Sequence, residues 1–102
     1  MLAIGQDVLV RALKRFSDAR KWIASWVSTV EDAAWQSLDD VRLDYPSADG
    51  VKLRTRLVVT VFNVKGNEYR LLTHVDYEGQ VVQVLELISH AEYNNDRWKE
   101  RY

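Results

Sequence analysis

Two proton-transfer side chains stand three residues apart in SHAEYNND, residues 89 to 96 of the 102-residue chain: His90 and Tyr93. An imidazole titrates at roughly 6.5 and a phenol at about 10, so such a pair at the rim of a sheet can take one proton and give another. The same letters also carry a purely structural meaning. Ser89 followed by Glu92 spells a capping box, in which serine and glutamate each satisfy a backbone amide at a helix start. A third group, Arg70, falls inside EYRLLTHVDY, residues 68 to 77. A guanidinium half-buried in a strand demands a partner, and Asp76, Glu86 or an anionic ligand are the alternatives.

These groups need elements to hold them. MLAI at the start suits one short strand. From Gln6 to Phe16 the apolar positions Leu9, Ala12, Leu13 and Phe16 recur at helical spacing, with Arg11, Lys14 and Arg15 on the other face. Ser17 and Asp18 offer a new N-cap. The run KWIASWVSTVEDAAW then predicts a longer helix, with Trp22, Ile23, Trp26, Val27, Val30, Ala33 and Ala34 in one wide stripe. Of the four tryptophans, Trp22 and Trp26 lie one turn apart on that stripe, and Trp35 and Trp98 are expected to seal edges. Residues 36 to 50 read as a connection, with a short helical turn around Leu38 to Leu43 before Pro46, Asp49 and Gly50.

Three β-rich runs follow. LVVTVFNV (57 to 64) meets residues 68 to 77 through the turn residues Lys65, Gly66 and Asn67, and VVQVLELI (81 to 88) returns after Glu78, Gly79 and Gln80. The tail from His90 to about Arg101 is expected to be helical. Alternation along the middle strand puts Tyr69, Leu71, Thr73 and Val75 on the face that meets the helices, and Arg70, Leu72, His74 and Asp76 on an open face. The phase of the last strand is ambiguous, because Gln83 and Glu86 fall on opposite faces. The expectation is an α+β domain over residues 1–102: an antiparallel sheet of three to four strands, two N-terminal helices packed on one face, and a short C-terminal helix.

Composition narrows the function. At 47% apolar and 28% charged, the chain is ordinary globular material. No cysteine is present, which removes disulfides and thiolate chemistry, and the start MLAIGQD is too short for a signal peptide, so a cytoplasmic protein with no membrane span is expected. The net charge of −1 gives no long-range pull on a polyanion. A local patch exists, however: Lys52, Arg54, Arg56, Lys65 and Arg70 face only Glu68 between residues 50 and 75. There is no Walker-type loop, HExxH, EF-hand run or G-x-S-x-G elbow, and neither a metal nor a cofactor is expected.

The run FNVKGNEYRLLTHVDY, the preceding YPSADGV, and SHAEY together resemble the HigB-type toxins of the RelE/ParE superfamily, over almost the whole chain. That resemblance implies a RelE-like fold with a curved antiparallel sheet. It also implies a metal-independent endoribonuclease that cleaves translated mRNA on the ribosome, inhibits translation, and is neutralised by a HigA-like helix-turn-helix antitoxin. Residue by residue, it implies Arg70 at the scissile phosphate and His90 and Tyr93 in proton transfer, with Lys65 adding a point charge. It further implies that Asn63 and Asn67 brace the site or touch RNA. Ser89 stands where the family commonly has threonine, and Asn94 where it commonly has aspartate.

RNA cleavage without a metal requires removal of the 2′-hydroxyl proton, charge stabilisation at phosphorus and protonation of the departing 5′-oxygen. Arg70 suits the second need, since a guanidinium makes two parallel hydrogen bonds to phosphate. His90 as base and Tyr93 as acid is one assignment of the others, and the reverse is the alternative. Lys52, Arg54, Arg56 and His74 are candidate RNA contacts, with His74 more readily read as an exposed strand residue. Two other functions are set beside this one: a ParE-like inhibitor that grips a protein such as a topoisomerase, and a catalytically inactive interaction module.

Overall fold

The computed structural model describes residues 1–102. Strand β1 (Leu2–Ile4) leads into helix α1 (Gln6–Arg15), a 3-10 turn (Ser17–Ala19), helix α2 (Arg20–Asp32) and helix α3 (Leu38–Asp44). Strands β2 (Asp49–Lys52), β3 (Val58–Val64), β4 (Tyr69–Asp76) and β5 (Val81–Ser89) follow, then helix α4 (His90–Asn94) and a 3-10 segment (Arg97–Arg101). No helix is long and apolar enough to cross a membrane.

The class is α+β, as expected, but the sheet is larger and mixed. It has five strands in the order β1-β5-β4-β3-β2, and β1 runs parallel to β5. The antiparallel meander of β3, β4 and β5 carries the expected pairing. The added strand β2 pairs Asp49 with Val61 and Lys52 with Val58, where turn residues had predicted only a connection. Its sequence, DGVK, has no apolar alternation because this edge strand is mostly exposed. At the other edge, Gly5 turns the chain from β1 into α1 with φ +81°, and a Cβ there would lie 2.7 Å from the Val84 carbonyl oxygen. Only glycine fits both conditions.

The main core lies between the helices and one sheet face. Leu9 and Leu13 of α1 and Ile23, Trp26 and Val30 of α2 pack on Phe62, Val64, Leu71, Val82 and Val84. Helix α2 stops at Asp32, because Ala33 is already extended. Ser17 gives no side-chain cap; it opens the 3-10 turn instead. Trp35 is not an edge seal: it stacks on Phe62 inside this core, and its indole N–H donates to Asp44 Oδ2 (2.9 Å).

The opposite face is not open along its length. Leu53, Val59, Val61, Leu72, Ile88 and Trp98 form a second, smaller core, with Trp98 wholly buried. The C-terminal segment reaches over the sheet because α4 ends at Asn94 and Asp96 takes φ 62°, so the continuous helix expected through Arg101 does not form. A bulge explains the ambiguous phase of β5. Leu72 pairs with Glu86 and Thr73 with Val84, so Leu85 is an extra residue. Gln83 and Glu86 therefore share one face, the face of Arg70.

Candidate active site

Arg70 sits in β4 on the sheet face away from α1 and α2, and only 8% of it is exposed. Two backbone carbonyls accept from its Nη1: Asn67 (3.3 Å) and Tyr69 (3.0 Å). Its Nη2 donates to Asn67 Oδ1 (3.0 Å) and lies 3.0 Å from His90 Nδ1. Neither Asp76 nor Glu86 pairs with it, and no carboxylate lies within ion-pairing distance. Glu86 is committed elsewhere, accepting from Arg101 Nε (2.7 Å) and the Tyr102 hydroxyl (2.5 Å). The protein has buried a permanent cation with amide and imidazole acceptors alone, leaving its charge uncompensated.

The last strand and α4 place the other two groups. The Ser89 hydroxyl accepts from the Glu92 amide (3.1 Å) and Glu92 Oε1 accepts from the Ser89 amide (3.3 Å), which completes the capping box. This start fixes the direction of α4, and the His90 amide adds a bond to the Glu68 carbonyl (3.0 Å). The structural and chemical meanings of SHAEY therefore coexist, since the cap presents His90 and Tyr93 toward Arg70. The guanidinium lies 5.6 Å from the centre of the Tyr93 ring, whose other neighbour is Trp98, stacked at 5.4 Å. Burial, followed by the nearby Asp49 carboxylate, raises the Tyr93 phenol above its ordinary value against the opposing pull of Arg70. It is a protonated donor at neutral pH.

A guanidinium can only donate, so His90 Nδ1 must be the acceptor of the Arg70 bond. The neutral ring then carries its proton on Nε2. The Asn94 side-chain nitrogen Nδ2 stands 2.9 Å from Nε2. Amide O and N are assigned from the hydrogen-bond network, and a half-turn of this amide puts Oδ1 there to accept from the protonated Nε2. Asn94 therefore orients the imidazole from the next turn of α4.

The remaining candidates divide. Asn67 belongs to the cluster, as an anchor for Arg70. Asn63 pairs with Arg70 across the β3–β4 ladder and lines a shallow depression with Trp22, Tyr45 and Gly66. Lys65 turns the other way: its ammonium is 3.0 Å from Asp18 Oδ2, and the Tyr69 hydroxyl donates to Asp18 Oδ1, on the helix-covered side. His74 lies four residues along β4, roughly 13 Å away by strand rise, and its Nδ1 sits 3.2 Å from the Val58 carbonyl oxygen. Lys52 and Arg54 line a cleft of about 560 Å³ against the C-terminal segment. Arg56, with φ 72°, closes the turn between β2 and β3. Sequence reasoning missed the orienting role of Asn94 and the support of Tyr93 by Trp98. The first had a visible trace, since Asn94 is one helical turn from His90.

Residues 19–96, which include all three clustered groups, match the family model described as HigB_toxin, RelE-like toxic component of a toxin-antitoxin system. The chain belongs to the HigB toxin family. It is 27% identical to the mRNA interferase toxin HigB of Escherichia coli (strain K12) over 94 residues, covering 92% of this chain and 88% of that protein. The proteins called mRNA interferase HigB in Escherichia coli O157:H7 and in Shigella flexneri match with the same identity and coverage. Membership in the HigB family accounts for a toxin of this size. The arrangement around Arg70 indicates what chemistry such a HigB toxin can perform.

Proposed function

We propose that this protein is a cytoplasmic endoribonuclease toxin, formed by residues 1–102 as one unit, that cleaves translated mRNA on the ribosome without a metal ion. The observation that carries the reading is the nearly buried Arg70, without an acidic partner, bonded to His90 and facing the Tyr93 ring. An uncompensated guanidinium at a sheet surface is a receptor for a phosphate. The names of the relatives supply the substrate class, message RNA.

In this mechanism the scissile phosphate takes the Arg70 donors. Removing Nη2 from His90 frees the Nδ1 lone pair, which accepts the proton of the ribose 2′-hydroxyl. The 2′-oxygen attacks phosphorus, and Arg70 stabilises the charge that develops on the phosphoryl oxygens. The bond from phosphorus to the 5′-oxygen breaks as Tyr93 donates its phenolic proton there. A 2′,3′-cyclic phosphate and a free 5′-hydroxyl result; solvent then takes the proton from His90 Nδ1 and returns one to the Tyr93 phenolate. His90 is thus the base and Tyr93 the acid. The side chains meet all three needs of the reaction, which supports metal independence, and a cluster with no deep pocket suits a substrate presented by the ribosome. A helix-turn-helix antitoxin encoded beside it completes the system.

Sequencing of message 5′ ends after induced expression tests the reading. New ends inside translated frames, absent with His90→Ala, are expected. Arrested growth with intact messages would instead favour a protein-binding inhibitor.

A further inference from the structure

Arg70 and its partners occupy one end of the sheet face, and the cleft of about 560 Å³ extends away from it, from Asp96 beside Tyr93 to Lys52 at the end of β2. One wall is the end of β2 and the turn after it, with Lys52, Leu53, Arg54 and Thr55; the other is the C-terminal segment, with Asp96, Lys99, Glu100 and Tyr102. Asp96 and Lys99 pair with each other at 3.3 Å. Lys52, Arg54 and Glu100 make no ion pair. The volume falls within the range of about 300–1,000 Å³ usual for small-ligand sites. The Tyr102 ring is held in place by its hydroxyl on Glu86 and by packing at the margin of the second core. The cleft therefore combines two free cations, one free carboxylate and a fixed aromatic wall.

That combination matches one nucleotide of a single strand. Cations on the strand side follow the sugar-phosphate backbone, an aromatic ring offers a stacking surface, and a carboxylate reads base donors. Among the four bases only guanine presents two adjacent donors, N1–H and N2–H, that a single carboxylate can accept together. We propose that this cleft is a message subsite that favours guanine, with Glu100 reading the base and Lys52 and Arg54 holding its phosphates. The inference rests on the proposed nuclease function and adds a specificity element to it. By strand spacing, Lys52 lies roughly 19 Å from Arg70, five residues along and two strands across, so the guanine is a few nucleotides from the cut and not at it. Lys99, Glu100 and Tyr102 lie beyond residues 19–96, the span matched by the family model.

Cleavage sites mapped in total RNA after expression of the wild type, Glu100→Ala, Lys52→Ala/Arg54→Ala and Arg70→Ala test it, with thermal melts as a folding control. The wild type is expected to show guanine enriched at one fixed distance from the cut. Glu100→Ala should flatten that enrichment by about fivefold or more, chiefly by slowing cuts at the guanine-bearing sites, since one bidentate contact discriminates bases by roughly that factor or more. The double variant should cut more slowly at all sites. Wild-type cuts abolished by Arg70→Ala but without a guanine preference, or with one that survives Glu100→Ala in a folded protein, would overturn the subsite and leave the nuclease reading standing. No cleavage by the wild type would overturn both.

Discussion

Arg70 Nη2 and His90 Nδ1 face each other at 3.0 Å across the junction of β4 and α4, and the bond can run only from arginine to imidazole. In the resting protein the only lone pair of the neutral ring is therefore occupied. The group that must bind phosphate also restrains the group that must take a proton, so substrate binding and base activation are one event.

The tautomer is the first expected outcome. Long-range proton–nitrogen correlation spectra of the free protein should show the proton of neutral His90 on Nε2. Asn94→Ala should leave that tautomer in place and broaden the ring signals. A proton found on Nδ1 would contradict the Arg70 bond.

The absence of an acid beside Arg70 has its own consequence. Asn67→Asp places a carboxylate where the Asn67 amide oxygen now accepts from Nη2 at 3.0 Å. The new ion pair should raise the melting temperature and lower cleavage by at least about tenfold, because substrate phosphate must then displace a charge-assisted bond. Unchanged activity with a formed ion pair would show that the free charge of Arg70 serves no purpose.

The Asp18, Tyr69 and Lys65 group on the helix-covered side makes a pH-dependent contribution to stability. The Tyr69 hydroxyl first, and Lys65 second, hold the Asp18 carboxyl below its usual 3.8. The same carboxylate pushes the Tyr69 phenol up from 10.0 to about 12. A lowered carboxylate stabilises the fold above its unfolded value, and that contribution is lost as pH falls through the lowered one. A raised phenol stabilises fully below 10.0, and its contribution is lost as pH rises through about 12. Melting curves of wild type and Asp18→Asn should thus differ by a constant margin from pH 5 to 9 and converge at both extremes. Lys65→Ala should leave cleavage within about twofold, since its charge is spent on Asp18 and a surface pair contributes little.

Trp98 tests the second core. Trp98→Ala should cost about 3–5 kcal/mol, as for other buried aromatic truncations. In a chain of this size, calorimetry should show the melting temperature falling by at least about 12 °C. Tyr93 should lose its stacked support at the same time. A shift of only a degree or two would mean that the C-terminal segment is not anchored.

The three long strands and helices α1 and α2 are legible because each carries an apolar face, and SHAEY and the strand arginine Arg70 are visible by type and spacing, while their joint role at a phosphate comes from the family resemblance. Strand β2 was not legible, because DGVK is held by pairing to β3 and carries no pattern of its own. The bulge at Leu85 left only an indirect trace, the conflicting phases of Gln83 and Glu86. Charge balance in the sequence points Arg70 to Asp76, Glu86 or an anionic ligand, whereas the fold uses the neutral acceptors Asn67 and His90, which sequence spacing does not connect to it. Lys65 was placed by its position at a hairpin tip; its partner Asp18 is 47 residues away, a separation no local rule spans.

Single-turnover cleavage of a defined message on stalled ribosomes tests the central claim most directly. With Arg70→Ala, His90→Ala and Tyr93→Phe, each folded by thermal melt, rates should fall by about 10²-fold or more, and Arg70→Ala/His90→Ala should be scarcely slower than the worse single variant, as for groups that act as a unit. Wild-type rates in any of the three single variants, or losses in the pair that simply multiply, would contradict a joint action on one phosphodiester.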